Sequence, residues 1–238
     1  MTRACAIGLL TLAVVSPAAA DEYWITYEGN DFPENEGWHR TWGNSKGQFR
    51  GNGAMRTIEN GALVMDSLFD TSVYDFYSME RLGRFDPEPG ELFRAEWRLL
   101  VEETVNWYDP SVVIRSDDGN LVAFEFREDN LLITPSRIRI DYEPFVWHTF
   151  SFSSLDMLTF DLAIDGQFVH RGEFLTRATP DSRFAFGDGT QGAASLASWD
   201  YVRFGVVPEP TMMSYLLCLL VACGSQGVRV RIGGGSVP

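Results

Sequence analysis

The stretch Leu158-Thr159-Phe160-Asp161-Leu162-Ala163-Ile164-Asp165-Gly166-Gln167-Phe168-Val169-His170-Arg171-Gly172-Glu173-Phe174 decides the fold class. Two runs of strand length, Leu158–Ile164 and Gln167–Phe174, flank Asp165-Gly166, and a two-residue Asp-Gly turn between such runs is the strongest short-range signal for a β-hairpin. Working outward, Val146 to Phe152, Leu131 to Thr134, Leu121 to Phe126 and Ala62 to Met65 also read as strands. Within Leu121–Arg127, Val122, Phe124 and Phe126 share one face, while Leu121, Ala123, Glu125 and Arg127 share the other. Arg137-Ile138-Arg139-Ile140-Asp141 alternates cleanly, as a half-buried strand does. Asp118-Gly119-Asn120 joins Val112–Arg115 to the Leu121 strand, and Asp129-Asn130 links that strand to Leu131–Thr134. No stretch of about ten residues or more carries a helical apolar period. The pattern predicts an all-β chain of about fifteen short strands in two antiparallel sheets.

Composition agrees with one such unit. The chain has 238 residues, 45% of them apolar, with seven Trp and 17 Phe. That suits a single sandwich core rich in large rings. The net charge is −14. The basic residues at the two ends (Arg3, Arg229 and Arg231, against Glu209 alone) leave residues 21–206 near −16. Such a field repels phosphate backbones and excludes nucleic acid as a partner. It fits a soluble exported domain, a neutral sugar or calcium. The three cysteines are Cys5, Cys218 and Cys223, so residues 21–206 hold no disulfide and no thiolate site.

Both ends are apolar targeting segments. Residues 1–20 read as a signal peptide: Arg3, then the apolar run Ala6 to Val15, then Ala18-Ala19-Ala20, with cleavage between Ala20 and Asp21. At the other end stand Val207-Pro208-Glu209-Pro210, an apolar run from Thr211 to Cys223, and Arg229 with Arg231. Here the sequence resembles the PEP-CTERM sorting signal of Gram-negative bacteria, with Pro208, Glu209 and Pro210 as its motif. The resemblance implies transient anchoring in the inner membrane through residues 207–238. An exosortase-like enzyme then processes the tail, and the protein goes to the cell surface or the extracellular matrix in company with exopolysaccharide. The apolar run of about 14 residues is shorter than the roughly 20 that span a bilayer. A simple anchor or interfacial tail is the other reading.

The body also resembles a family. Val146-Trp147-His148-Thr149-Phe150-Ser151-Phe152 followed by Phe160-Asp161-Leu162-Ala163-Ile164-Asp165-Gly166-Gln167 is similar to the hairpin core of concanavalin A-like, laminin-G-like jelly rolls. Phe184 to Asp188 and Ala197 to Val202 resemble their closing strands, and Gly61 to Asp66 their opening strand. This implies a jelly-roll sandwich over residues 21–206, a fold that hosts lectins, hydrolases, lyases and adhesive modules alike.

The laminarinase-like branch of the fold sets its carboxylates as Glu-x-Asp-x-Glu on one strand. The nearest acidic strand here, Glu125-Phe126-Arg127-Glu128-Asp129, puts Arg127 in the central place. His39, His148 and His170 show no paired metal-ligand spacing, and no G-x-S-x-G elbow is present. Calcium is the one cofactor the residues suit, through Asp117, Asp118, Asp188 and Asp200 in or near predicted turns. A sugar ring stacks on exposed aromatics, and Trp38, Trp42, Trp107 and Tyr108 fall in predicted loops beside polar groups. Trp24, Trp97, Trp147 and Trp199 are expected in the core. The expected function is an exported, non-catalytic module that binds a glycan. A polysaccharide-active hydrolase or lyase and a purely structural matrix protein are the alternatives.

Overall fold

A computed structural model describes residues 25–44, 53–80, 85–106, 108–176, 182–189 and 192–209. The signal segment with Ala20 and Asp21, Trp24, Trp107 and the tail from Pro210 onward lie outside the described residues. The strands are β1 (Ile25–Tyr27), β2 (His39–Asn44), β3 (Met55–Glu59), β4 (Ala62–Asp66), β5 (Val73–Glu80), β6 (Glu91–Val105), β7 (Ser111–Arg115) and β8 (Asn120–Phe126). They continue as β9 (Asn130–Thr134), β10 (Ile138–Asp141), β11 (His148–Ser154), β12 (Thr159–Ile164), β13 (Gln167–Glu173), β14 (Leu175–Thr176), β15 (Arg183–Asp188) and β16 (Ala194–Pro208). One 3-10 turn, Pro33–Glu36, precedes β2.

Two antiparallel sheets face each other, as the alternation predicts, in the jelly-roll sandwich that the resemblance implies. One runs β13-β12-β11-β6-β16-β4-β3, with β1 also on β16. The other runs β10-β9-β8-β7-β15-β5-β2, with β14 on β8. The β12–β13 hairpin closes through Asp165 (φ 51°) and Gly166 (φ 77°), the left-handed pair that a two-residue turn requires. Asn60 and Gly61 (φ 54° and 79°) close β3–β4 in the same way.

Period-two alternation places large rings between the sheets. Phe93, Trp97 and Leu99 of β6 face inward with Phe150 and Phe152 of β11, opposite Val122, Phe124 and Phe126 of β8, all at most 2% exposed. Trp97 lies nearly parallel to Phe150, with centroids 5.8 Å apart and planes at 12°, and meets Phe124 at 5.6 Å. A second ring cluster stacks Phe184 on Phe204 at 4.5 Å and sets Phe186 against Trp199 at 4.9 Å. Burying each such side chain contributes about 1.5–3 kcal/mol.

β10 departs from the expected pattern. It closes one end of its sheet, and Ile138 is 37% exposed while Ile140 is only partly buried. The alternation is there, but an edge strand finds less to cover it.

Candidate functional site

The structure separates the aromatic residues that the sequence grouped. Trp38 is 2% exposed and belongs to the core. It stands edge-on to Phe186 at 5.0 Å and to Phe204 at 5.9 Å. The reason is local: the 3-10 turn ends at Gly37 (φ 90°), Trp38 N–H donates to Pro33 O, and the chain enters β2 with Trp38 turned inward. Of the segment read as a loop, His39 to Trp42 are strand, and Trp38 stands just before it. Tyr108 is also buried, at 5% exposure, between the Arg127 and Arg139 guanidiniums at 5.3 and 5.7 Å. Trp42 is exposed, on β2 rather than in a loop, with Arg40 4.9 Å above its ring. Neither Trp38 nor Tyr108 presents a face to a ligand.

The four calcium candidates do not converge. Asp117 Oδ2 accepts from the N–H groups of Phe85 and Asp86, and Asp86 Oδ1 accepts from Asp117 N–H, so this carboxylate clamps a loop. Asp118 is exposed on its turn. Asp200 pairs with Arg98 at 2.5 Å. Asp188 is buried at the end of β15. Among the described residues no three carboxylate, histidine or cysteine side chains are set to hold a metal.

Asp188 belongs instead to a buried acidic cluster with Asp75 and Asp109, each at most 1% exposed. Asp75 is held by Arg40 through two bonds, Nε to Oδ1 at 2.9 Å and an Nη to Oδ2 at 2.5 Å. Gly53 passes close over this pair, where a Cβ would stand 2.3 Å from Asp75 Oδ2. Asp109 Oδ1 accepts from Gly189 N–H at 3.2 Å. Burial, then its hydrogen bond with Asp188 and that group's charge, push the Asp109 carboxyl well above its usual range. Burial raises Asp188 as well. Asp109 Oδ2 and both Asp188 carboxyl oxygens are buried without another donor, so burial and like charge favour one proton held between the two carboxyls.

A broad groove lies on the outer face of the first sheet, with a volume of about 620 Å³. Register sets its floor in rows. Glu59 lies opposite Ala62, and Thr57, Val64, Ser198 and Leu100 line up across four strands. Met55, Asp66 and Leu196 form the next row. The small side chains Ala62, Thr57 and Ser198 keep the floor low between longer neighbours. Trp147 lines the same groove, half-buried rather than in the core, with the Arg98 guanidinium 5.1 Å from its ring.

Trp147 is placed by the strand that follows it. Phe150, Phe152 and His148 point inward, so the odd-numbered positions point out. His148 anchors the strand start: Nδ1 meets Asp165 Oδ2 at 2.6 Å and Nε2 meets Glu143 O at 2.7 Å. Both partners are acceptors, so the ring satisfies both only as imidazolium. Burial of Asp165 opposes its charge, but the Thr149 N–H and His148 bonds outweigh it and hold that carboxyl below its usual range. A second hollow of about 520 Å³ lies beside the Asp161–Arg171 pair, but its one ring, Phe160, is 2% exposed. The Trp147 groove thus combines an accessible ring with hydroxyl, amide and carboxylate groups.

No family model matches the sequence. No curated protein is similar to it. Solved structures are similar in shape. A carbohydrate esterase from a Shiga toxin-encoding bacteriophage is 13% identical with a TM-score of 0.56, over 78% of this chain and 98% of that one. A glycosidic hydrolase is 13% identical with a TM-score of 0.51, over 79% and 97%. A protein of unknown function from Shewanella oneidensis MR-1 is 12% identical with a TM-score of 0.50, over 87% and 98%. Identity at this level fixes the sandwich and leaves the chemistry to the residues of the groove.

Proposed function

We propose that the protein is an exported, non-catalytic glycan-binding sandwich whose site is the Trp147 groove, sorted through its PEP-CTERM-type tail. The observation that carries the reading is a partly exposed indole in a broad groove that sets apolar side chains such as Val64 and Leu100 among hydroxyl, amide and carboxylate groups. Such a ring stacks on a sugar face while hydroxyl and carboxylate groups bind its edges. The non-catalytic part of the reading rests on the sequence, where Arg127 stands in the central place of the nearest acidic strand, Glu125-Phe126-Arg127-Glu128-Asp129.

Trp147→Ala tests the site. A stacked ring contributes on the order of 1 kcal/mol, so affinity for a glycan recognised on an array falls about fivefold. The melting temperature stays close to wild type, because the ring is only half-buried. Unchanged binding in the variant would remove the groove from consideration. A wild-type protein that binds no glycan would favour the purely structural role.

The tail carries its own test. β16 ends at Pro208, and Glu209 N–H donates to Gly90 O at 2.8 Å. Replacing Pro208, Glu209 and Pro210 with Ala leaves export intact and blocks processing, seen as an unprocessed band in the membrane fraction. Wild-type size and location in that variant would make the tail a simple anchor.

A further inference from the structure

We infer that the Trp147 groove takes a polysaccharide of amino sugars carrying free, protonated amines; the inference rests on the groove being the glycan site. Among the described residues, its walls hold Glu59, Asp66, Glu102 and Asp200 against a single cation, Arg98. Arg98 is already committed, paired with Asp200 at 2.5 Å and lying against the Trp147 ring. Its charge is balanced by Asp200, so it does not offset the other acids of the groove. The other three carboxylates remain unbalanced. Glu59 Oε1 accepts from Thr57 Oγ1 and Asp66 Oδ1 from Leu68 N–H, so each keeps an oxygen for a further donor.

Complementarity then selects the ligand. A uronic acid or sulfated chain meets like charge in a protein of net charge −14. A neutral chain offers hydroxyl donors but leaves the carboxylates uncompensated. A glucosamine-type chain brings one ammonium per residue, each able to donate to two or three carboxylate oxygens. The apolar row through Val64 and Leu100 lies between Glu59 on one side and Asp66 on the other, matching a sugar whose ring faces are apolar and whose edges are charged.

The test uses the full exported chain and calorimetric titration with three oligomers of equal length: glucosamine, N-acetylglucosamine and a uronic acid. At low salt the free-amine oligomer binds at least about tenfold tighter than its N-acetylated counterpart. The preference shrinks as salt rises, because exposed pairs are screened within about 10 Å at 0.1 M. Each carboxylate is worth about two- to fivefold. The combined variant Glu59→Gln, Asp66→Asn, Glu102→Gln therefore removes the preference, while Glu173→Gln, exposed on β13, leaves it in place. A preference that survives the triple variant, or falls equally with Glu173→Gln, would overturn the inference in favour of a diffuse field. Equal binding of both oligomers, lost in Trp147→Ala, would keep the groove and discard the amine. Binding of none of the three oligomers would discard both.

Discussion

Trp97→Ala lowers the free energy of unfolding by about 3–5 kcal/mol, the range for removing a fully buried Trp or Phe from a packed core. Trp97 is 0% exposed and packs against Phe124, Phe126 and Phe150, so the cavity left behind is walled by rigid rings that cannot collapse into it. Denaturant unfolding followed by fluorescence reads the loss directly, and Trp147→Ala supplies the contrast. One indole holds the sheets together and the other faces the groove. A Trp97→Ala loss below about 1 kcal/mol would mean that the two sheets do not meet at this ring.

A comparable loss, about 3–5 kcal/mol at neutral pH, follows from Arg40→Ala, since removing one partner of a buried pair strands the other charge. Asp75 is fully buried, and Asp188, opposite it in the β5–β15 register, adds a second acid. The cluster also imposes a pH dependence. The folded-state pKa values of Asp109 and Asp188 lie above those of the unfolded chain, so the folded protein holds a proton that the unfolded chain has released. That contribution is complete below about pH 4, the unfolded aspartate value, and fades as pH rises through the folded values. Asp161, held low by Arg171, acts in a separate window, losing its contribution only as pH falls below that range. Asp109→Asn can donate to Asp188 in place of the shared proton. It should therefore flatten the decline that sets in above about pH 4, the unfolded aspartate value, and raise the melting temperature on the alkaline side by a few degrees, at about 2–4 °C per kcal/mol. Parallel profiles for variant and wild type would show that the two carboxyls do not share a proton.

The hairpins were legible because their signals are local. Asp165-Gly166 fixed β12–β13, and the alternation in Leu121–Phe126 placed Val122, Phe124 and Phe126 inward, where all three are 0% exposed. The groove ring was legible too but was misread. Phe150 and Phe152 set the inward parity of β11, and Trp147 stands on the opposite parity, so position should have outweighed size. Trp38 failed for another reason: its inward turn depends on Gly37 and on a β2–β5 pairing that nothing nearby in the chain announces. The acidic cluster could not have been read at all. Asp75, Asp109 and Asp188 meet only through the order β7-β15-β5, and strand order is a long-range property of the whole sandwich.

β16 leaves the sheet without slack. Pro208 still lies opposite Glu91, and Glu209 is still hydrogen-bonded to Gly90. Asp200, in the groove, stands eight residues back on the same strand, about 26 Å away at roughly 3.3 Å per residue. A tether attached at position 210 would therefore grip the sandwich as a handle grips a paddle. The end carrying Glu91 and Pro208 would face the anchoring surface, and the blade would hold Trp147 out of the headgroup layer, open to polymer beyond it. Such a protein would gain reach from the length of one strand, and release of the tail would free the groove without reshaping it.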